Sequence, residues 1–312
     1  MALGSPDAPD PADRWLRSAY RECRKVNSRH GKTFYLATML LAPPQRPAIH
    51  ALYGFARMAD DIVDDPSPGY DTARTAARLE ELAGALSAGL REGRSNDPVV
   101  AAVVDTAARY RIEPALFDDF LASMRMDLTV THYPDQAALD AYVRGSAEVI
   151  GLQVLPVLGT VAPLEEAAPY AAALGKAFQL TNFVRDVAED LDRGRVYLPA
   201  DELGAFGVDR DLLCWCRQHR RTERRVRAAL AAQHAKIRSR YAFARKGIAL
   251  LHPVSRPCVA TAQVLYSEIL DQIERSDFAV FSQRATVGRL RRAQVAAGGL
   301  ARALWARHGQ IP

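Results

Sequence analysis

Apolar residues recur at three- and four-residue spacing through ten alanine-rich segments, close to 11–25, 47–65, 71–90, 98–111, 114–129, 136–158, 164–192, 209–246, 255–277 and 286–308. That period predicts amphipathic helices. Prolines and glycines fall mostly between the segments, at Pro43 and Pro44, Pro66 to Gly69, Pro134, Pro163, Pro199 and Pro253, where they end helices. Pro156 lies inside GLQVLPVLG and predicts a kink. Strand-like alternation is confined to VYLP after Arg195, and no repeat of fixed period occurs. The pattern therefore predicts an all-α, single-domain helical bundle, a class that builds ligand sites from side chains on facing helices. Residues 1–13 hold three prolines and three aspartates and no apolar stretch behind a basic start. They are expected to be a disordered tail, leaving 14–308 as the domain.

Composition changes this picture little. Of 312 residues, 49% are hydrophobic and 25% charged, as in ordinary globular chains, and no apolar run is long enough to span a bilayer. Cys23, Cys214, Cys216 and Cys258 form no CxxC pair and have no histidine at zinc spacing, so reduced packing residues of a cytoplasmic protein are expected. The net charge of +5 suits anionic substrates, anionic lipid or nucleic acid. The basic residues lack aromatic interleaving and no reader motif occurs, so nucleic acid is not expected as a partner.

Two acidic motifs carry the candidate chemistry. In Arg57-Met-Ala-Asp60-Asp61-Ile-Val-Asp64-Asp65, residues four apart share a helix face, so Asp60 stacks with Asp64 and Asp61 with Asp65. Like charges at that spacing, near a helix C-terminus, destabilise the helix unless a cation relieves them. Arg57 lies on the same face, an arrangement open to an internal ion pair or to a diphosphate and metal site. In the second motif Gln179, Asn182, Asp186 and Asp190 are spaced three, four and four, a polar stripe down an otherwise apolar helix. A buried stripe of that kind costs several kcal/mol unless a ligand satisfies it. Arg185 and Glu189, four apart, are expected to pair beside it. Oxygen donors without histidine or cysteine suit Mg²⁺, with Mn²⁺ the alternative. Such ions would grip a diphosphate as a leaving group, with Arg193 and Arg195 closing over it.

With both motifs in view, the chain resembles the squalene and phytoene synthase family. The resemblance rests on SRHGKTFYLATMLLAP, YGFARMADDIVDD, RMDLTVTHY, YVRGSAEVIGLQVLPVLG, QLTNFVRDVAEDLDRGRVYLP and LYSEILDQIERSDFAVF, in that order. It implies the isoprenoid synthase fold with a central substrate cavity. It further implies Asp60, Asp64, Asp186 and Asp190 as metal ligands, with Asp61 nearby and Asn182 assisting. His30, Lys32, Thr33 and Phe34, with Tyr53, Arg57, Gln179, Arg185, Tyr266 and Arg284, are implied to line the diphosphate and reaction region. Gly31 stands where many relatives have serine. Small residues at Gly145, Ser146, Ala147 and Gly151 would leave room for a polyprenyl tail, and Asp127 would add a polar contact or cap packing.

The activity implied is head-to-head joining of two allylic diphosphates. The C1 cation of one adds across the terminal double bond of the other, giving a cyclopropyl diphosphate that ionises, rearranges and loses a proton to a triene. Similarity of GSAEVIGLQVLPVLG and EDLDRGRVYLP to bacterial phytoene synthases, and the lack of the apolar C-terminal anchor of eukaryotic squalene enzymes, lead to geranylgeranyl diphosphate as the expected substrate. No nicotinamide fingerprint is found, and no nicotinamide cofactor is expected. Two alternatives are a farnesyl-using squalene or dehydrosqualene synthase and a catalytically silent helical relative acting as a membrane adaptor. The intact acidic motifs argue against the silent relative. Arg217, Arg220, Arg221, Arg224 and Arg225 would form one basic helical stripe, suited to docking on the inner face of a membrane for delivery of product to a downstream carotenoid enzyme.

Overall fold

The computed structural model describes residues 11–64 and 71–308. Asp65 of the first acidic motif and most of the expected tail, residues 1–10, lie outside the described residues. Helix α1 (Pro11–His30) already begins inside the segment expected to be tail. It is followed by α2 (Lys32–Thr38), α3 (Arg46–Val63), α4 (Thr72–Glu92), α5 (Pro98–Tyr110), α6 (Ala115–Met126), α7 (Gln136–Val143), α8 (Val149–Leu158) and α9 (Leu164–Asp192). After these come α10 (Ala200–Gly204), α11 (Arg210–His219), α12 (Arg224–Lys246), α13 (Arg256–Arg275) and α14 (Arg289–His308). No strand occurs among the described residues. The VYLP segment contributes only an isolated parallel bridge, Val196 with His132.

Acidic residues start many of these helices. Asp71, Asp97, Asp135, Asp209 and Glu223 accept hydrogen bonds from the first backbone N–H groups of α4, α5, α7, α11 and α12. Their carboxylates are thereby explained by helix starts, an account that does not extend to the aspartates at the end of α3 and in the second half of α9.

One apolar core gathers around α9, α12 and α13, with Phe183, Leu230, Leu270 and Phe281. A second fills the space between α1, α3, α4, α5 and α6, with Phe55, Leu79, Phe117 and Phe120. A smaller one, including Leu41, Leu155 and Ala303, lies among α2, α8 and α14. Helix α8 packs on both α3 and α9 and so sets their separation.

Between α7 and α8 the helix does not stop. It widens into a π turn at Arg144–Glu148, a geometry often found at functional sites. Helix α8 then runs through Pro156 and ends at Gly159, whose φ of 71° lies in the left-handed region. The glycines here correct an expectation. A Cβ on Gly145 would lie 2.2 Å from the Asp119 carbonyl oxygen, and one on Gly151 would lie 2.3 Å from that of Ala171. Both glycines let backbones of neighbouring helices touch, so at these two positions the small size serves helix packing.

A second correction concerns the basic stripe. The segment 209–246 is two helices, because Arg220 adopts φ 51° and ends α11. Arg217 pairs with Asp192, Arg220 donates to the Ser282 carbonyl, and Arg225 donates to the Gly207 carbonyl and Glu223. No single arginine face exists to dock on lipid. All four cysteines are free, three of them buried.

Candidate active site

The acidic end of α3 and the second half of α9 face one another. Helix period alone turns Asp60 and Asp64 to one side of α3, with Asp61 on the more exposed side, where it pairs with Arg57. On α9 the same period lines up Gln179, Asn182, Asp186 and Asp190.

The link between the helices is made by the turn after α9. Arg195 donates from Nη1 to Asp64 Oδ1 at 2.9 Å, and Arg193 donates to Asp64 Oδ2 at 3.2 Å. The left-handed Gly194, φ 77°, lets the chain reverse so that both arginines point to the same carboxylate. Asp186 is gripped by two guanidinium groups. Arg185 donates from Nε at 2.7 Å, and Arg284 donates from Nε at 2.8 Å and from Nη2 at 3.0 Å. The Arg185–Glu189 pair expected from spacing does not form. Arg185 turns onto Asp186, while Glu189 meets Arg284 at 3.2 Å. Arg284, from the segment after α13, is thus brought into the site.

Two carboxylates remain without a donor among the described residues, Asp60 and Asp190. Burial, followed by the charge of Asp64, pushes Asp60 up to about 7; burial and the charge of Asp186 do the same to Asp190. Asp186 differs because hydrogen bonds from Arg185 and Arg284 outweigh its burial and hold it below the usual carboxylate range. Asn182 Oδ1 is buried with no hydrogen-bond partner, and its amide nitrogen is 3.5 Å from Gln179 Oε1. Repelling carboxylates and an orphaned amide oxygen, all hard donors, fit a divalent cation. Among the described residues, no three carboxylate, histidine or cysteine groups converge tightly enough to hold one as they stand. Arginines on Asp61, Asp64 and Asp186 supply the countercharge instead.

Beside the carboxylates lies a run of aromatic rings. Phe34 is 5.0 Å from Tyr266 and 5.7 Å from Phe178 between ring centroids, Phe178 is 4.4 Å from Tyr266, and Phe34 is 6.3 Å from Tyr53. Burial pushes the Tyr53 hydroxyl up to about 12, so it stays protonated. His30, Lys32 and Thr33 sit at the corner between α1 and α2, and none hydrogen-bonds to the aspartates. Their position is fixed by Gly31, whose Cα has room for no side chain: a Cβ would lie 2.6 Å from Tyr53 Cζ.

Sequence reasoning gave Asp127 only a minor part, and it left out Phe178 and the tyrosines around Asp127. Asp127 accepts hydrogen bonds from Tyr142 at 2.8 Å and Tyr197 at 3.1 Å, inside a stack that includes Phe183, 4.2 Å from Tyr197. Its backbone carbonyl accepts from Arg195 Nη2 at 2.9 Å. The cluster buttresses the arginine that holds Asp64. Signals for it were present in RMDL, YVRGS and RVYLP, but nothing in one dimension says that those three segments meet.

A family model described as squalene/phytoene synthase matches residues 27–291, which include both acidic helices and the aromatic run. The chain belongs to the squalene/phytoene synthase family. Among relatives of this family, it is 38% identical over 296 residues to a protein named phytoene synthase from Arthrospira platensis, covering 91% of this chain and 92% of the relative. It is also 38% identical over 286 residues to the chloroplastic phytoene synthase 1 of Arabidopsis thaliana, covering 89% of this chain and 65% of that one. A crystal structure of a dehydrosqualene synthase superposes with a TM-score of 0.83 at 26% identity, covering 94% of this chain and 98% of the other. A squalene synthase from Alicyclobacillus acidocaldarius gives 0.74 at 25%, covering 84% and 95%. No helix among the described residues is long and apolar enough to cross a membrane.

Proposed function

We propose that the chain is a divalent-cation-dependent prenyl transferase that joins two geranylgeranyl diphosphates head to head, giving phytoene and two diphosphates through a cyclopropyl diphosphate. The observation that carries the reading is that Asp60 on α3 and Asp190 on α9, on either side of Asp64, are carboxylates with no donor among the described residues, each held up to about 7 by burial. The relatives named phytoene synthase support the substrate class.

The cation would be held by Asp60, Asp64, Asp186 and Asp190, with Asp61 and Asn182 Oδ1 assisting, and Mg²⁺ best suits that all-oxygen set. When bound it supplies Lewis-acid charge to the leaving diphosphate. Arg57, Arg185, Arg193, Arg195 and Arg284 already point at the carboxylates and are placed to take up the anion as it leaves. Phe34, Tyr53, Phe178 and Tyr266 keep water from the allylic cation and present ring faces to it. Gln179 and Asn182 orient the diphosphate, with His30, Lys32 and Thr33 at its approach. A peripheral position on a membrane belongs to the same proposal: α14 turns Leu300, Leu304 and Trp305 outward and carries five arginines and no carboxylate.

The deciding experiment supplies purified protein and Mg²⁺ with geranylgeranyl or farnesyl diphosphate, with and without NADPH, and identifies the hydrocarbon by mass spectrometry. A C40 triene formed without NADPH, and lost in Asp60→Asn and Asp186→Asn, is expected. The likeness to a dehydrosqualene synthase structure favours a second reading, in which farnesyl diphosphate gives a C30 product. No turnover of either substrate would overturn both.

A further inference from the structure

At the end of α3 opposite Asp60, a cleft of about 700 Å³ opens between α1, the α2–α3 corner and α5. Arg46 stands fourteen residues before Asp60 on the same helix, about 21 Å along its axis, so the cleft is remote from the aspartates. Its floor is apolar, with Leu16, Met39, Pro43 and Pro47. Its wall is basic, with Arg17, Arg21, Arg24, Arg46 and Arg109, and no carboxylate lines it among the described residues.

These arginines are poorly neutralised. Arg17, Arg21 and Arg24 recur at i, i+4 and i+7, a like-charge stack that costs the helix stability. Arg17 and Arg21 have no hydrogen-bond or ion-pair partner among the described residues. Arg24 donates only to the Tyr35 hydroxyl, at 3.2 and 3.3 Å, and Arg46 donates to the Leu41 carbonyl at 2.9 Å. Of the wall arginines, Arg109 does meet a carboxylate, Asp105, at 3.2 Å, and that carboxylate also accepts from Tyr20 at 2.5 Å. His50, beneath the arginines, hydrogen-bonds Asn27 at 3.0 Å and stacks on Tyr35. Burial and the charges of Arg24 and Arg46 push it down to about 4, so it adds no charge but offers a neutral ring. Arg46 itself is lowered by burial and by repulsion from Arg307 and Arg24.

We propose that this cleft is a second, metal-independent binding site for a phosphate ester, which the guanidinium groups of Arg17, Arg21, Arg24 and Arg46 hold while its apolar part lies on Leu16 and Met39. Four guanidinium groups that have no carboxylate partner among the described residues and line one cleft with an apolar floor match a multiply charged phosphate better than a single carboxylate. The same chemistry comes from a free diphosphate or from the headgroup of an anionic lipid.

The test compares the full-length wild type with the double variant Arg17→Glu/Arg21→Glu, both with metal chelated. Calorimetric titration with inorganic diphosphate is the first arm, and cosedimentation with phosphatidylglycerol vesicles, against phosphatidylcholine, is the second. Both substituted residues are exposed, so an unchanged melting temperature and, in a separate assay with Mg²⁺ supplied, a kcat/KM within twofold of wild type on isoprenyl diphosphate are expected. If the source is a free phosphate, the wild type binds one more diphosphate than the variant, or binds it at least tenfold tighter. If it is a lipid headgroup, free diphosphate binding is unaltered, while retention on the anionic vesicles falls at least tenfold in the variant. Equal behaviour of the two proteins in both arms would overturn the proposal.

Discussion

Arg195 donates to Asp64 Oδ1 and to the backbone carbonyl of Asp127, each at 2.9 Å, so one guanidinium ties the acidic end of α3 to the turn that follows α6. The residue is largely buried, and its planar fork serves two acceptors at once, which an ammonium on a flexible stem cannot do in the same geometry. Arg195→Lys keeps the charge and loses the bridge. It is expected to lower kcat about 10²-fold, in the range seen when one preorganised donor to a developing anion is removed, with a smaller change in KM. Steady-state kinetics on the proposed substrate would read this, and a wild-type kcat would remove Arg195 from the site.

Asp127 gives a prediction about stability and pH. Burial, against the opposing charge of Arg195, raises its carboxyl to about 6, above an unfolded value of about 3.9. The native state therefore binds the proton more tightly, and this group's contribution to stability falls as pH rises from about 4 to about 6. Two pKa units correspond to about 2 to 3 kcal/mol. Asp127→Asn removes the charge, keeps one tyrosine hydroxyl as donor to its amide oxygen while the other must accept from its amide nitrogen, and should flatten that slope. Asp127→Ala should cost about 2 to 4 kcal/mol by stranding two buried hydroxyls. Urea melts at pH 4.5 and pH 7 check both, and parallel pH profiles for wild type and Asp127→Asn would contradict the assignment.

Gly31 determines where Tyr53 sits. Its φ of −101° suits any residue, so a serine there meets no backbone strain, but its Cβ would stand 2.6 Å from the tyrosine ring. Gly31→Ser should displace Tyr53 and lower turnover about tenfold, with a stability loss of about 1 to 3 kcal/mol from overpacking. The additional change Tyr53→Phe would leave the clash with the ring in place, whereas Tyr53→Leu should recover part of the stability and none of the turnover, because Asn27 Oδ1 still stands 2.7 Å from the new Cβ.

Cation binding should depend on pH in a direction fixed by Asp60 and Asp190. Both are raised to about 7, above unfolded values of about 3.9, so between those values the metal-free native state holds protons that the unfolded chain has released, and it loses stability as pH rises through the window from about 4 to about 7. A cation that replaces those protons then stabilises more at the alkaline end. The melting temperature should rise more on adding Mg²⁺ at pH 8 than at pH 5.5, and the difference should shrink in Asp60→Asn and Asp190→Asn. An equal shift at the two pH values would argue against cation binding at these carboxylates.

What the sequence made legible was whatever helix period fixes within one segment. The pairing of Asp60 with Asp64 and the stripe from Gln179 to Asp190 follow from spacing alone and appear as expected. Partners across segments did not follow. Glu189 stands four residues from Arg185, yet Asp186 is nearer and less exposed, and Arg284 arrives from a segment nearly a hundred positions away to take both acids. The break at Arg220 carried no glycine or proline to mark it. An arginine occupies the left-handed position there, held by its bond to the Ser282 carbonyl. The glycines near the π turn were legible as small residues, but their purpose depends on which backbone lies opposite.

That π turn also fixes how many residues the segment must contain. Tyr142, before it, has to reach Asp127, while Gly151, after it, has to sit against the Ala171 carbonyl. Removing one residue between them would rotate everything downstream by about 100° around the helix axis, the angular step of a 3.6-residue turn. The two anchors could then never be satisfied together. The length of this stretch is thus a dimension of the molecule, set by the gap between its two fixed ends.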